Sequence, residues 1–266
     1  MIVIKFGGHA MTDAQGLFAK AVQGALDLGE ECIIIHGGGP QIDAALKVAK
    51  IEPEFKGGFR VTTAEVYEVV QSVLSGQVLR EVVAQLRHAG INAVGLTGRD
   101  GGMLIAKRLT ELVNGDSADL GQVGEIVRVD VAVLESLIES GFLPVVSPVA
   151  SEGDLARENS RAGLNVNADL AAAAIAGAMQ ASTLIFMTDV PGIYKNWPDT
   201  SSLISIIHAD ELDAMKHEFT EGMAPKVSAC LMAINSGARS VRIVDGTNPE
   251  SFALALRGIG GTLVLP

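Results

Sequence analysis

Two short apolar runs, at 1–6 and 32–36, each empty into glycines: Gly7-Gly8 after the first and Gly37-Gly38-Gly39 after the second. Buried strands that end in nearly bare backbone constrain the fold and the ligand together. Glycine lets peptide N–H groups approach a ligand that side chains would hold away. Lys5 emerges at the first of these strand ends, so the two exits describe a site for anionic oxygens, with phosphate the first candidate. A glycine after a strand is by itself an ordinary turn signal. What lifts the reading above that is the repetition within the first 40 residues, once beside a lysine. Neither exit follows G-x-x-x-x-G-K-[ST], and neither opens a helix with G-x-G-x-x-G, so a dinucleotide-binding unit is not expected.

Short apolar strands alternate with helix-length amphipathic segments along the rest of the chain, the pattern of an α/β protein with a mostly parallel sheet. Strands are expected at about 1–6, 32–36, 93–97, 103–107, 144–147, 183–188 and 241–245. Helices are expected at about 13–28, 40–50, 63–89, 130–140, 167–179, 209–215 and 224–236. The long helix carries Val66, Val69, Val70, Val73, Val82, Val83 and Leu86 at helical spacing, enough for a core face with some left for a subunit contact. Residues 103–129 read as a small antiparallel excursion. The clearest boundary follows the helix 167–179.

At 266 residues and 48% hydrophobic content the chain can bury a large core as one α/β domain or two lobes. Cys32 and Cys230 give neither a disulfide framework nor a metal spacing. The net charge of −11 argues against nucleic-acid or anionic-membrane partners. No run of about 18 apolar residues suggests a membrane span. Met1 leads into a strand without a basic leader, so a cytoplasmic protein is expected. An acidic chain that binds an anion must gather its basic groups locally.

Three later segments carry candidates for that gathering. Asn167 and Asp169 open an alanine-rich helix and suit capping, whereas Asn165, on the same side as Asn167 in an extended segment, needs another reason. The strand 183–188 closes on Thr188-Asp189-Val190-Pro191-Gly192, and polar groups at the carboxyl end of a buried strand commonly meet ligands. In Glu221-Gly222-Met223-Ala224-Pro225-Lys226 the proline suits a first helical turn. A lysine there opposes the helix dipole unless an anion is present. His36 reads as a structural strand-end histidine, and His88, His208 and His217 as surface or capping residues.

Eight segments, in order, resemble those of the acetylglutamate kinase subfamily of the amino-acid kinase family. They are Lys5-Phe6-Gly7-Gly8, His36-Gly37-Gly38-Gly39-Pro40, Gly58-Phe59-Arg60-Val61-Thr62, Val94-Gly95-Leu96-Thr97-Gly98, Gly121-Gln122-Val123-Gly124-Glu125, Asn165-Val166-Asn167-Ala168-Asp169, Thr188-Asp189-Val190-Pro191-Gly192 and Gly222-Met223-Ala224-Pro225-Lys226. The resemblance runs from Lys5 to Gly260-Gly261-Thr262. It implies a three-layer αβα sandwich with a mostly parallel central sheet, an acyl-amino-acid lobe over 1–179 and an ATP lobe over 180–266. It implies transfer of phosphate from ATP, with Mg²⁺, to the γ-carboxylate of N-acetyl-L-glutamate. A kinase for carrier-bound α-aminoadipate, or a non-catalytic binding protein of the same fold, is the alternative. By similarity Lys5 and Lys226 would flank the phosphoryl group and Asp169 would hold those lysines. Gly38, Gly39, Arg60 and Asn165 would hold the acyl amino acid, Arg60 through its α-carboxylate. Gly7, Gly8 and Gly37 would cradle phosphate, and Thr188, Asp189, Val190, Gly192 and Met223 would surround the nucleotide.

A carboxylate nucleophile, with a solution pKa near ~4.3, is already ionised at neutral pH and needs no general base. This agrees with motifs that hold no Ser–His or Cys–His arrangement. Mg²⁺ should arrive with ATP, and no protein-held metal site is expected. Three positions depart from the family pattern: His9 stands where asparagine is common, and Leu79-Arg80 where Asn-Lys is. In the family an amino-terminal helix ahead of the first strand accompanies arginine-inhibited hexamers. With the strand beginning at Ile2, the expectation is a homodimer insensitive to arginine.

Overall fold

The computed structural model describes residues 1–7, 16–112, 115–153, 162–219, 223–248 and 250–266. At its centre lies β1 (Ile2–Phe6), parallel to β2 (Cys32–His36) on one side and to β11 (Thr183–Thr188) on the other. From β2 the sheet runs to β8 (Leu143–Ser147) and to β5 (Ala93–Thr97) at the edge. From β11 it runs through β13 (Val241–Asp245) and β14 (Thr262–Leu265) to β12 (Ile206–His208). Only the β13–β14 pair among these eight strands is antiparallel. The sheet therefore divides by sequence at β1, with earlier strands on one side and later ones on the other.

Continuous apolar runs such as Cys32-Ile33-Ile34-Ile35 suit strands covered on both faces. Side chains alternate between the faces: Val3, Ile33, Ile35, Leu184 and Phe186 enter one core, and Ile4, Phe6, Ile34, Ile185 and Met187 the other. The first core is covered by α5 (Ala132–Glu139), α6 (Ala168–Ala178), α7 (Ala209–Met215) and α8 (Ala224–Asn235). The second is covered by α1 (Leu17–Asp27), α2 (Gly39–Ala49), α9 (Ser251–Leu256) and the long helical rod. Small residues let α6 and α8 come close: a Cβ on Gly177 would run into Ser236.

The rod differs from the single α-helix expected over 63–89. It is α3 (Ala64–Gln71), a π-helical stretch Ser72–Val78 and α4 (Leu79–His88). The same apolar spacing serves either geometry, so sequence periodicity does not separate them. Val66, Val70, Val73, Val82 and Leu86 are spent on the core, while Val69 and Val83 are only partly covered.

The antiparallel excursion is present and larger than expected. β6 (Leu104–Arg108) and β7 (Val123–Val129) run antiparallel and close into a four-stranded barrel with β9 (Val149–Glu152) and β10 (Gly163–Val166). A hairpin of β3 (Phe55–Lys56) and β4 (Phe59–Arg60) stands apart from both. Its two-residue loop, Gly57-Gly58, has φ of 55° and 83°, which two glycines accept without strain.

Candidate active site

The carboxyl ends of β1, β2 and β11 meet the amino-terminal ends of α2 and α6. Lys5, at the end of β1, lies 2.9 Å from Asp169 Oδ1, and each side chain is 12% exposed. Asn167 caps α6 by accepting from the N–H groups of Asp169 (2.8 Å) and Leu170 (3.3 Å), which fixes Asp169 in the first turn. Capping therefore does account for Asn167. Asp169 is not a cap but the counter-charge of Lys5.

A cavity of about 300 Å³ opens beside this pair. Lys5, Gly37, Gly38, Gly39, Arg60, Asn165 and Asp169 all line it, so six of the sequence-derived side chains and loops converge with Asp169 on one space. Two helix starts, at Gly39 and Ala168, also face it and add partial positive charge. Arg60 donates from Nη1 to Asp43 Oδ1 at 2.7 Å, and its guanidinium carbon stands 4.6 Å from the centre of the Phe55 ring. Asn165 donates from Nδ2 to Thr62 Oγ1 at 3.1 Å, and that hydroxyl donates to the carbonyl of Arg60 at 2.8 Å. Thr62 thus ties the two substrate-side residues together. Gly121 makes this possible, because a Cβ there would strike the Thr62 carbonyl.

A second cavity, of about 500 Å³, is lined by Asp189, Val190, Tyr194, Trp197, Phe219, Met223 and Lys226, among others. Desolvation raises the Asp189 carboxyl. The hydrogen bond from Thr188 Oγ1 (2.9 Å), its own backbone N–H and the charges of Lys226 and Lys5 outweigh this and hold it below its ordinary value. Asp189 therefore feels the lysines of both cavities. Thr188 and Gly192, expected around the nucleotide, stand behind this wall rather than in it. Thr188 orients Asp189, and Gly192 packs against Thr262, whose Oγ1 receives the Ile193 N–H at 2.8 Å.

Gly7 lies against the Lys5 side chain, where a Cβ would sit 2.8 Å from Nζ, and against Gly37. Gly8, with His9 and Gly222, lies outside the described residues. His36 is fully buried, its Nδ1 2.8 Å from the Gly37 carbonyl oxygen. Burial lowers its pKa to about 4, with a smaller push in the same direction from Arg80, so it is neutral and structural. Arg80, at one of the positions departing from the family pattern, donates to the Gly95 carbonyl at 3.3 Å. Both cysteines are buried, and burial raises their thiols, Cys32 to about 12.

Asp43, Phe55, Leu74 and Trp197 were not among the site residues the sequence suggested, and Thr62 figured only within the segment 58–62. Phe55, Leu74 and Trp197 line the two cavities, while Asp43 and Thr62 hold residues that do. Asp43 follows the glycine exit by one helical turn, which was the available signal. The others are ordinary apolar or hydroxyl residues whose place depends on the fold.

A parallel sheet with glycine-rich strand exits, two lysines and an arginine gathered at its carboxyl edge defines a protein that handles phosphate and carboxylate groups. The sequence profile of the Amino acid kinase family matches residues 1–245, and the chain belongs to that family. Within the family it is similar to acetylglutamate kinases. That of Paenarthrobacter aurescens (strain TC1) is 46% identical over 274 residues, covering 100% of this chain and 86% of the relative. That of Arthrobacter sp. (strain FB24) is 47% identical over 272 residues, covering 100% and 87%. Among solved structures, smu.665 from Streptococcus mutans UA159 is 26% identical, with a TM-score of 0.81 over 99% of this chain and 98% of that one.

Proposed function

We propose that this protein is a kinase that transfers the γ-phosphoryl group of ATP to the γ-carboxylate of N-acetyl-L-glutamate, a step of arginine biosynthesis. The observation that carries the reading is one cavity holding a clamped arginine, a glycine-rich strand exit and the Lys5–Asp169 pair, in a chain similar over its whole length to acetylglutamate kinases. On this reading Arg60 takes the α-carboxylate, and Asn165, Gly38 and Gly39 take the rest of the acyl amino acid. Gly7 stands at the strand exit beside the phosphate path, whereas Gly37 does not offer its N–H there as expected, because that group is bonded to the Phe6 carbonyl at 2.8 Å. Lys5 and Lys226 offset charge spreading over the phosphoryl oxygens, which is the main demand of such a transfer. The nucleophile is the substrate's own carboxylate, so no base is needed.

Among the described residues the first cavity is lined by residues between 5 and 169 and the second by residues between 189 and 226. This supports assigning the acyl amino acid to the lobe 1–179 and the nucleotide to the lobe 180–266. Val190 and Met223 then line the nucleotide site directly, with Thr188 and Gly192 supporting it. Asp189 is an ionised oxygen donor of the kind Mg²⁺ takes, so the residues fit an ion that comes with ATP. When bound, that ion neutralises phosphate charge.

We assign a homodimer as the assembly. Among the described residues the edge strand β5 has a neighbour on one side only, and Val69 and Val83 are valines the rod leaves partly uncovered. Among the described residues no helix is long and apolar enough to cross a membrane.

Trapping with hydroxylamine tests the activity. An acyl phosphate formed from N-acetyl-L-glutamate and ATP gives a hydroxamate, and glutamate or aspartate should give none. Turnover with carrier-bound α-aminoadipate alone would transfer the protein to the alternative reading.

A further inference from the structure

The arginine of the first cavity is gripped before any ligand arrives. Its side chain is 8% exposed, so water does little to hold the guanidinium in place. Two other side chains do. Phe55, directly opposite Arg60 in the β3–β4 register, lays its ring over the guanidinium at 4.6 Å. Asp43, on α2 one turn beyond the glycine exit, accepts from Nη1 at 2.7 Å. One contact covers a face of the guanidinium and the other fixes its rotation in plane.

We propose that Asp43 is a positioning residue for the kinase reaction, setting the angle at which Arg60 presents its remaining N–H groups to the α-carboxylate of the acyl amino acid. The inference rests on the function proposed above. A guanidinium carries five N–H donors in a fixed fork, and Asp43 accounts for one, so a second carboxylate still finds a two-point partner. Two carboxylates on one guanidinium repel each other. Asp43 is 49% exposed, and water screens its charge while leaving its hydrogen bond intact. The contact also joins the two walls of the cavity. Asp43 belongs to the helix that starts at Gly39, and Arg60 belongs to the hairpin, whose strands among the described residues pair with each other. Removing the contact frees the guanidinium, and the substrate must then order it, while Phe59 packed on Leu120 and Val123 and the Thr62–Leu120 hydrogen bond still hold the hairpin.

A neighbouring carboxylate has an opposite possible effect, because Asp43 could compete with the substrate for Arg60. The two roles give opposite signs. With Asp43→Ala, positioning predicts a rise of about tenfold in KM for N-acetyl-L-glutamate, with KM for ATP and kcat each within about twofold of wild type. Asp43→Asn keeps an oxygen acceptor for Nη1 and should recover most of the affinity. Calorimetric titration of the acyl amino acid in the absence of nucleotide should show the same tenfold loss for Asp43→Ala. Phe55→Leu, which removes the ring and keeps the bulk, should raise the same KM and leave ATP untouched. A lower KM in Asp43→Ala, or equal changes toward both substrates, overturns the proposal. Wild-type protein inactive with N-acetyl-L-glutamate would instead overturn the function on which it rests.

Discussion

Lys5 is the residue on which fold and chemistry bear together, since it ends the central strand and pairs with a carboxylate that is equally buried. Lys5→Ala and Lys226→Ala should each lower kcat by on the order of 100-fold or more, with smaller changes in KM, because a transition-state contact is lost. Arg60→Ala should act mainly on KM for the acyl amino acid. Steady-state kinetics on both substrates separates these patterns, and small equal effects from all three would remove the assigned roles. His36 makes a different prediction. Its folded pKa of about 4 lies below the ordinary 6.5, so the unfolded chain binds the extra proton between those values. The stability this contributes is complete above about pH 6.5 and is lost as pH falls toward 4, on the order of 3 kcal/mol in all. Urea unfolding from pH 4 to 7 should show that slope, flattened in His36→Gln. Lys5 and His36 were both legible in the sequence. Asp43 was not singled out, because its place one turn beyond the glycine exit does not report the guanidinium that folding brings to it.

Elements set the site through their ends. Asn167 holds the first turn of α6 through two accepted hydrogen bonds, and Asn167→Ala should cost about 1 kcal/mol in urea unfolding. Because Asp169 sits in that turn, kcat should fall as well. The π-helical stretch acts on the opposite wall. A Cβ on Gly38 would stand 2.7 Å from Leu74 Cδ2, a buried atom of that stretch. Gly38→Ala should therefore lower kcat/KM about tenfold, and adding Leu74→Ala should restore part of it, a non-additivity typical of residues in contact. Additive effects would show that the loop and the rod do not press on each other. Most long elements were readable from hydrophobic period. The short strands β9, β10, β12 and β14 were not, since four residues or fewer carry too little alternation to distinguish strand from loop.

At the scale of the whole molecule the open edge at β5 and the partly covered Val69 and Val83 bear on assembly. Light scattering should give about 55 kDa, twice the 27.7 kDa chain. A Val69→Glu, Val83→Glu double variant should shift it toward the monomer. A hexamer would contradict the assembly.

The sequence by itself determined the alternation of strand and helix, the glycine exits, and the set of lysine, arginine, asparagine and aspartate residues that the site draws on. These are local properties: hydrophobic period, the freedom of glycine and the ionisation of side chains are all present before folding. Tertiary structure alone decided which of those residues face one cavity and which stand behind it, as Thr188 and Gly192 do. It also made the Asp43–Arg60–Phe55 clamp and the barrel around β10. Such contacts join residues of different elements, and their energy depends on distance and desolvation, which exist only once the chain has closed.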